Sequence, residues 1–147
     1  MNTNETIIRE IEAEDYLSVA AVWREALGSL TITDEAFAIT CDKMKADNRY
    51  CILVAEKSGK VIGFVSTVEA LALNLENGYI KVNALAVSSE FKHKGIGKML
   101  MEQVDKRALE RNISLIGITS GFQRTDAHAF YEHLGYKKSS FWLSKRL

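Results

Sequence analysis

Residues 79–111, YIKVNALAVSSEFKHKGIGKMLMEQVDKRALER, restrict the fold more than any other stretch of the chain. An extended apolar run from Tyr79 to Val87 crosses a polar turn into Lys92-His93-Lys94-Gly95-Ile96-Gly97-Lys98, and a long amphipathic helical pattern follows at once. Gly95 and Gly97 lack the Cβ atoms that would keep a ligand off the backbone, and they reach backbone angles that other residues avoid. Unpaired N–H groups at a helix N-terminus, with the positive end of the helix dipole, form an anion site. Lys92, His93, Lys94 and Lys98 add side-chain cations. The loop alone leaves two readings open, a phosphate or pyrophosphate cradle and a tight turn carrying solvated lysines. It is not the P-loop of nucleoside triphosphatases, since the GKS/GKT ending is missing. It is not a dinucleotide fingerprint either, because the third glycine and the acidic end of a second strand are absent.

The rest of the chain supplies a sheet for this unit. Thr6–Ile11 reads as a first strand, and Glu12 to Asp15 open a helix in which Tyr16, Val19, Ala20, Trp23 and Leu27 recur at helical spacing before Gly28 stops it. Thr33 or Asp34 caps a second helix to about Ala46, with Phe37, Thr40, Cys41 and Met44 on one face. Tyr50–Glu56, Val61–Leu71 and Tyr79–Val87 make an antiparallel meander, joined by turns at Lys57–Lys60 and Asn74–Gly78. After the long helix, with Asn112 as its stop, Ile113–Thr119 reads as a buried strand parallel to Tyr79–Val87 through a right-handed crossover. Thr125-Asp126 caps a short helix ended by Gly135, and Ser139–Lys145 reads as a closing strand. The expectation is one α/β (α+β) domain over residues 1–147, with a mixed, mostly antiparallel sheet of about six to seven strands flanked by four helices, in the order β-α-α-β-β-β-α-β-α-β.

The strand before the loop changes phase. Ile80, Val82, Ala84 and Ala86 alternate on one face with Tyr79, Lys81 and Asn83 opposite, yet Leu85 and Val87 continue the polar face as apolar residues. Either both faces are buried there or a β-bulge shifts the phase near Asn83-Ala84; the bulge is the reading adopted.

Charge and composition narrow the partners. Nineteen Lys and Arg balance nineteen Asp and Glu, so no global field favours nucleic acid or an anionic membrane. No apolar run approaches the roughly 20 residues that span a bilayer, and MNTNETIIRE has no apolar leader core. Cys41 and Cys51 lack a CxxC pattern and read as buried thiols of a reducing cytoplasm. His128 and His133 lie off a common helical face, so no metal is implied.

With Leu85-Ala86-Val87 before Lys92-His93-Lys94-Gly95-Ile96-Gly97, and Arg124, Ala127, Phe130-Tyr131 and Gly135-Tyr136 after it, the chain resembles the GNAT family of N-acetyltransferases. The family loop is Arg/Gln-x-x-Gly-x-Gly/Ala after a Leu-x-Val triplet, so Lys92 departs from the usual residue while keeping the cation. The second signature is Arg-x-x-Ala-x-x-Phe-Tyr-x-x-x-Gly-Tyr/Phe. The ending TSGFQRTDAHAFYEHLGYKKSSFWLSKRL looks like the aminoalkylphosphonate acetyltransferase branch.

The resemblance implies acetyl-CoA as donor, a primary amine of a small molecule as acceptor, direct transfer without an acyl-enzyme, and a homodimer. It implies that backbone groups of Leu85, Ala86 and Val87 pair with the pantetheine arm, that an N–H there faces the developing oxyanion, and that N–H groups from His93 through Gly95, Ile96 and Gly97 to Lys98 hold the pyrophosphate. Tyr131 is the implied general acid for the departing thiolate, with core packing beside Phe130 and Leu134 as the plainer role. Arg124 either contacts CoA or stays on the surface. Many relatives carry a glutamate base on the strand occupied here by Lys81, Asn83 and Ala84, none of them a base at neutral pH. Asn83 as a binder of substrate or water, and Glu69 acting through water, are the remaining acceptor-side candidates. A CoA-binding module without turnover is the alternative.

Overall fold

Alternating apolar residues in the middle of the chain fold as three long strands, β2 (Tyr50–Lys57), β3 (Lys60–Ala72) and β4 (Leu75–Val87). The computed structural model describes residues 5–147, so the first part of the polar N-terminus lies outside the described residues. A fourth strand, β1 (Thr6–Glu10), lies antiparallel beside β2, and β5 (Ile116–Ile118) lies beside β4, giving a five-stranded sheet in sequence order. Ser58 and Gly59 both take positive φ, 52° and 76°, as a two-residue turn matched to the strand twist requires. The chain divides into two compact units, Met1–Gly117 and Ile118–Leu147.

In the first unit, α1 (Tyr16–Leu27) and α2 (Asp34–Lys45) cover one face of the sheet, and α3 (Ile96–Glu110) packs on β3 and β4. Gly28 ends α1 with φ 101°, and the Oγ1 of Thr33 accepts the Ala36 N–H at 3.1 Å as the cap of α2. Phe64 stacks on Trp23 at 6.0 Å, so the face of β3 that carries Phe64 is the α1 face. Tyr16, Val19, Val22, Cys41, Val54, Phe64, Ala84 and Ala86 form its core. Glu69 pairs with Arg107 of α3 and with its C-cap residue Arg111, so the alternate residues Val65, Thr67 and Glu69 face α3. Leu100, Met101 and Val104 are buried on that side. Thr40 leaves the expected apolar face of α2; it is exposed, with its hydroxyl donating to Ala36 O at 2.9 Å.

The bulge lies where the phase change places it. Ser66 pairs with Ala84 and Thr67 with Val82, which leaves Asn83 as the extra residue on β4. Beyond it Leu85 pairs with Val65 on the α3 face, while Ala86 pairs with Phe64 on the α1 face. Both faces therefore accept apolar residues after the bulge.

Three expectations about strands are corrected. Among the described residues the sheet has five strands, because residues 139–145 form no strand and are exposed throughout, whereas β-propensity is expressed on a half-buried surface. The strand expected at Ile113–Thr119 shortens to β5, because Ile113 is used to close α3: its N–H donates to Ala108 O at 2.9 Å, with Asn112 at φ 56°. The expected turn at Asn74–Gly78 is mostly strand. Gly78 serves close approach rather than reversal, since a Cβ there would stand 2.1 Å from Ala70 O.

The second unit contains α4 (Thr125–His133), whose N-cap is Arg124 without a side-chain cap bond, in place of the expected Thr125-Asp126 cap. Gly135, at φ 99°, ends the helix. Its N–H donates to Glu132 O and the Tyr136 N–H to Tyr131 O, both at 3.0 Å, which is a Schellman closure.

Candidate active site

Gly95 is the N-cap of α3 in the left-handed region, φ 82° and ψ 6°, and no side chain caps the helix. A Cβ on Gly95 would meet nothing within 4 Å, so the space before the helix is open. Met99 N–H donates to Gly95 O at 3.0 Å as the first helical bond, and the N–H groups of Ile96, Gly97 and Lys98 precede it without an intrahelical acceptor. Lys92, His93, Lys94 and Lys98 are exposed around them, and His93 itself takes φ 63°. Uncapped donors, the dipole and local cations fit an anionic diphosphate.

The sheet fixes where this N-terminus stands. Gly63 of β3 lets the layers close: a Cβ there would lie 3.0 Å from Ala86 O and 3.5 Å from the Ile96 side chain. Ile96 is thereby buried against the sheet, and the first turn of α3 sits at the end of β4. On the outer edge of β4, Ile80 N–H donates to Leu115 O at 3.0 Å, where the three residues of β5 begin. Leu85-Ala86-Val87 lie farther along, paired with β3 on their inner edge. Their outer backbone edge can take an extended chain as an added strand.

A 3-10 turn, Ser89–Phe91, joins β4 to the loop. Ser88 N–H donates to Ile62 O at 2.8 Å, and the Phe91 ring has Lys94 Nζ at 5.5 Å and Lys57 Nζ at 5.8 Å. Glu25, in the last turn of α1, accepts hydrogen bonds from Ser88 and Ser89, and these bonds, led by that from the Ser89 hydroxyl, hold its carboxyl below the usual range. No local pattern around Glu25 signals this, because its partner lies 64 residues away in sequence.

Tyr131 is 6 % exposed and packs edge-on against Phe130 at 5.2 Å and Tyr136 at 5.8 Å. Burial pushes its phenol up to about 12, with the charge of Arg124 pulling the other way. Arg124 is exposed at the head of α4.

The acceptor-side candidates part company. Asn83 is exposed on the bulge, two residues before Leu85. Glu69 lies on the α3 side of the sheet, its Oε1 2.9 Å from Arg111 Nε and 3.2 Å from Arg107 Nε. A cavity of about 220 Å3 bordered by Glu10, Lys45, Tyr50, Cys51, Arg107 and Arg111 lies at the starting end of β2, away from the loop that follows β4. Among the described residues no three His, Cys, Asp or Glu gather as metal ligands, and no helix is long and apolar enough to cross a membrane.

A family model described as the Acetyltransferase (GNAT) family matches residues 8–136, spanning the sheet, the loop, α4 and the Gly135-Tyr136 closure. The chain belongs to the GNAT family. As a GNAT protein it is an acetyl-CoA-dependent N-acetyltransferase. It is 25% identical over 131 residues to the aminoalkylphosphonate N-acetyltransferase of Salmonella typhimurium, covering 78% of this chain and 85% of that one. A protein of Bacillus halodurans described as a transcriptional regulator superposes with TM-score 0.86 at 25% identity, over 97% of this chain and all (100%) of that one. Aminoglycoside N-acetyltransferase AAC(6')-Iy in complex with CoA shares the fold at TM-score 0.83 and 13% identity, over 97% and 95% of the two chains.

Proposed function

We propose that this GNAT protein moves the acetyl group of acetyl-CoA directly onto a primary amine of a small molecule, as one N-acetyltransferase domain over residues 1–147. The observation that carries the donor half is the uncapped start of α3, with open space before Gly95. The N–H groups from His93 to Lys98 hold the diphosphate, and Lys92, Lys94 and Lys98 neutralise it. Leu85, Ala86 and Val87 offer their outer backbone edge to the pantetheine arm. Acetyl-CoA supplies the acetyl group already activated as a thioester. An N–H of the Leu85–Val87 edge donates to the carbonyl oxygen as charge develops there. Tyr131 Oη keeps its proton at neutral pH and donates it to the leaving sulfur, while the attacking nitrogen releases a proton to water and the phenolate regains one from solvent. A phenol at about 12 is a weak acid against a thiol near 8.5, but a desolvated thiolate is also more basic than one in water, which narrows the gap. Arg124 steadies the charge near that proton. Asn83 presents its amide to the incoming amine or to a water.

The acceptor class rests on the named relatives: one acts on aminoalkylphosphonates, another on aminoglycosides. Both are small amines bearing charge. A cytoplasmic homodimer is the working assembly. Neither cysteine serves as an acyl carrier: Cys41 and Cys51 are buried, and burial pushes the Cys41 thiol up to about 11. Initial rates with acetyl-CoA and an amine varied together test the direct route. Intersecting reciprocal plots support it; parallel plots with acetyl found on the protein overturn it.

A second reading, a CoA-binding module without turnover, draws on Glu69. With the Glu69 carboxylate of β3 held by two arginines, the bulge on β4 presents the amide of Asn83 and no carboxylate. CoA binding with no thiol release on any amine selects this reading.

A further inference from the structure

One carboxylate holds two consecutive residues of the strap that leads to the anion loop. Glu25 Oε1 accepts the Ser89 N–H at 2.7 Å and the Ser89 hydroxyl at 2.5 Å, and Oε2 accepts the Ser88 hydroxyl at 3.2 Å. The 3-10 turn Ser89–Phe91 has no cap from its own N-cap residue, Ser88. Glu25 fills that role from α1, across the fold. The far end of the strap is held by Phe91, whose N–H donates to Ser88 O at 2.9 Å and whose ring touches Lys94 and Lys57. From there Lys92, His93 at φ 63° and Gly95 at φ 82° lead without slack into α3.

The charge itself is out of place by simple electrostatics. A carboxylate held against the segment that feeds an anion site opposes the anion within the screening length, the more so at low salt. A solvated surface glutamate would leave the Ser89 N–H to water. The arrangement instead uses a charge-assisted acceptor with three donors, the strongest hydrogen-bond type open to a side chain here.

We infer that Glu25 is a positioning residue for the donor: by clamping Ser88 and Ser89 to α1 it sets the presentation of the α3 N–H groups, and so the affinity for the CoA diphosphate. This rests on reading Lys92–Lys98 as the CoA site. The two possible effects of Glu25 have opposite signs. Charge alone predicts tighter CoA binding when Glu25 is neutralised; positioning predicts weaker binding.

The experiment is titration calorimetry of CoA into wild type, Glu25→Gln, Glu25→Ala and Ser89→Ala, each checked for native near-ultraviolet circular dichroism, with KM and kcat for acetyl-CoA alongside. The expected result is a Kd for CoA raised about tenfold or more by Glu25→Ala and less by Glu25→Gln, which keeps the size and one acceptor. KM for acetyl-CoA rises in parallel while kcat at saturation stays within about twofold, because the clamp touches no reacting atom. Ser89→Ala moves Kd the same way, and the double variant is no weaker than Glu25→Ala alone, the non-additivity of groups in one network. An unchanged or tighter Kd in folded Glu25→Gln, against a wild type that binds CoA, overturns the positioning role alone. A wild type that does not bind CoA overturns the donor-site reading on which it rests.

Discussion

Tyr136 N–H donates to Tyr131 O at 3.0 Å while the two rings meet edge-on at 5.8 Å, so the backbone closure of α4 also packs the Tyr131 phenol. This is the physical content of the Phe130-Tyr131 and Gly135-Tyr136 signature. Gly135 supplies the left-handed residue that the closure needs, and the Tyr136 ring provides the contact between positions either side of it.

Tyr131→Phe keeps the ring and removes only the proton that the proposed mechanism delivers to the leaving sulfur. Turnover is expected to fall on the order of 100-fold, as for loss of a general acid, with the Kd for CoA unchanged. Equal turnover in the two proteins assigns Tyr131 to packing. Stability carries a separate signature. Because the folded phenol lies at about 12 and a free one near 10, its contribution is full below about pH 10 and is lost as pH rises toward 12; the variant flattens that alkaline limb in urea titrations.

Gly97→Glu separates helix stability from anion binding. Position 97 is in the first turn of α3, where an acidic side chain favours the helix by about 0.3–1 kcal/mol. The same carboxylate opposes a diphosphate. The variant is expected to melt at or above the wild-type temperature while CoA binding weakens by at least about 100-fold, a cost of about 3 kcal/mol. Unchanged CoA affinity refutes the cradle.

Gly78→Ala places a methyl 2.1 Å from Ala70 O at a backbone φ of 73°. Strain and displaced pairing are expected to destabilise the protein by on the order of 3 kcal/mol, read as a lowered urea midpoint. CoA affinity of the folded fraction stays unchanged, since β4 reaches the loop at its other end.

Acid sensitivity centres on Asp15. Arg9 donates to both its oxygens, at 2.6 and 2.9 Å, and the Glu12 N–H adds a third bond at 2.8 Å, so the Arg9 bonds first and the backbone bond next hold its carboxyl below the usual range. A lowered folded value means that the stabilisation is complete above the unfolded value of about 3.9 and drains away as pH falls through the folded one. Asp15→Asn is expected to cost on the order of 1 to 3 kcal/mol at pH 7 and to flatten the stability profile below about pH 4. A profile identical to wild type contradicts this.

Local signals were legible. Gly28, Asn112 and Gly135 stop helices because each is followed by a chain reversal written in adjacent residues, and Thr33 caps α2 through its neighbour Ala36. The Asn83 bulge could be read because Leu85 and Val87 break the alternation within a few residues. What escaped the sequence depends on distant partners. Glu25 meets Ser89, Glu69 meets Arg107 and Arg111, and Gly63 meets Ala86 and Ile96 only after folding. Phe141, Trp142 and Leu143 have strand propensity, yet they are exposed and form no strand, because propensity alone makes none.

The most direct test of the account is thiol release from acetyl-CoA with polyamines, aminoalkylphosphonates, aminoglycosides, amino acids and peptides as acceptors. Amine-dependent release is expected with at least one small primary amine, matched by an acetylated product in the mass spectrum. CoA bound with no release above the amine-free rate, across the whole panel, contradicts it.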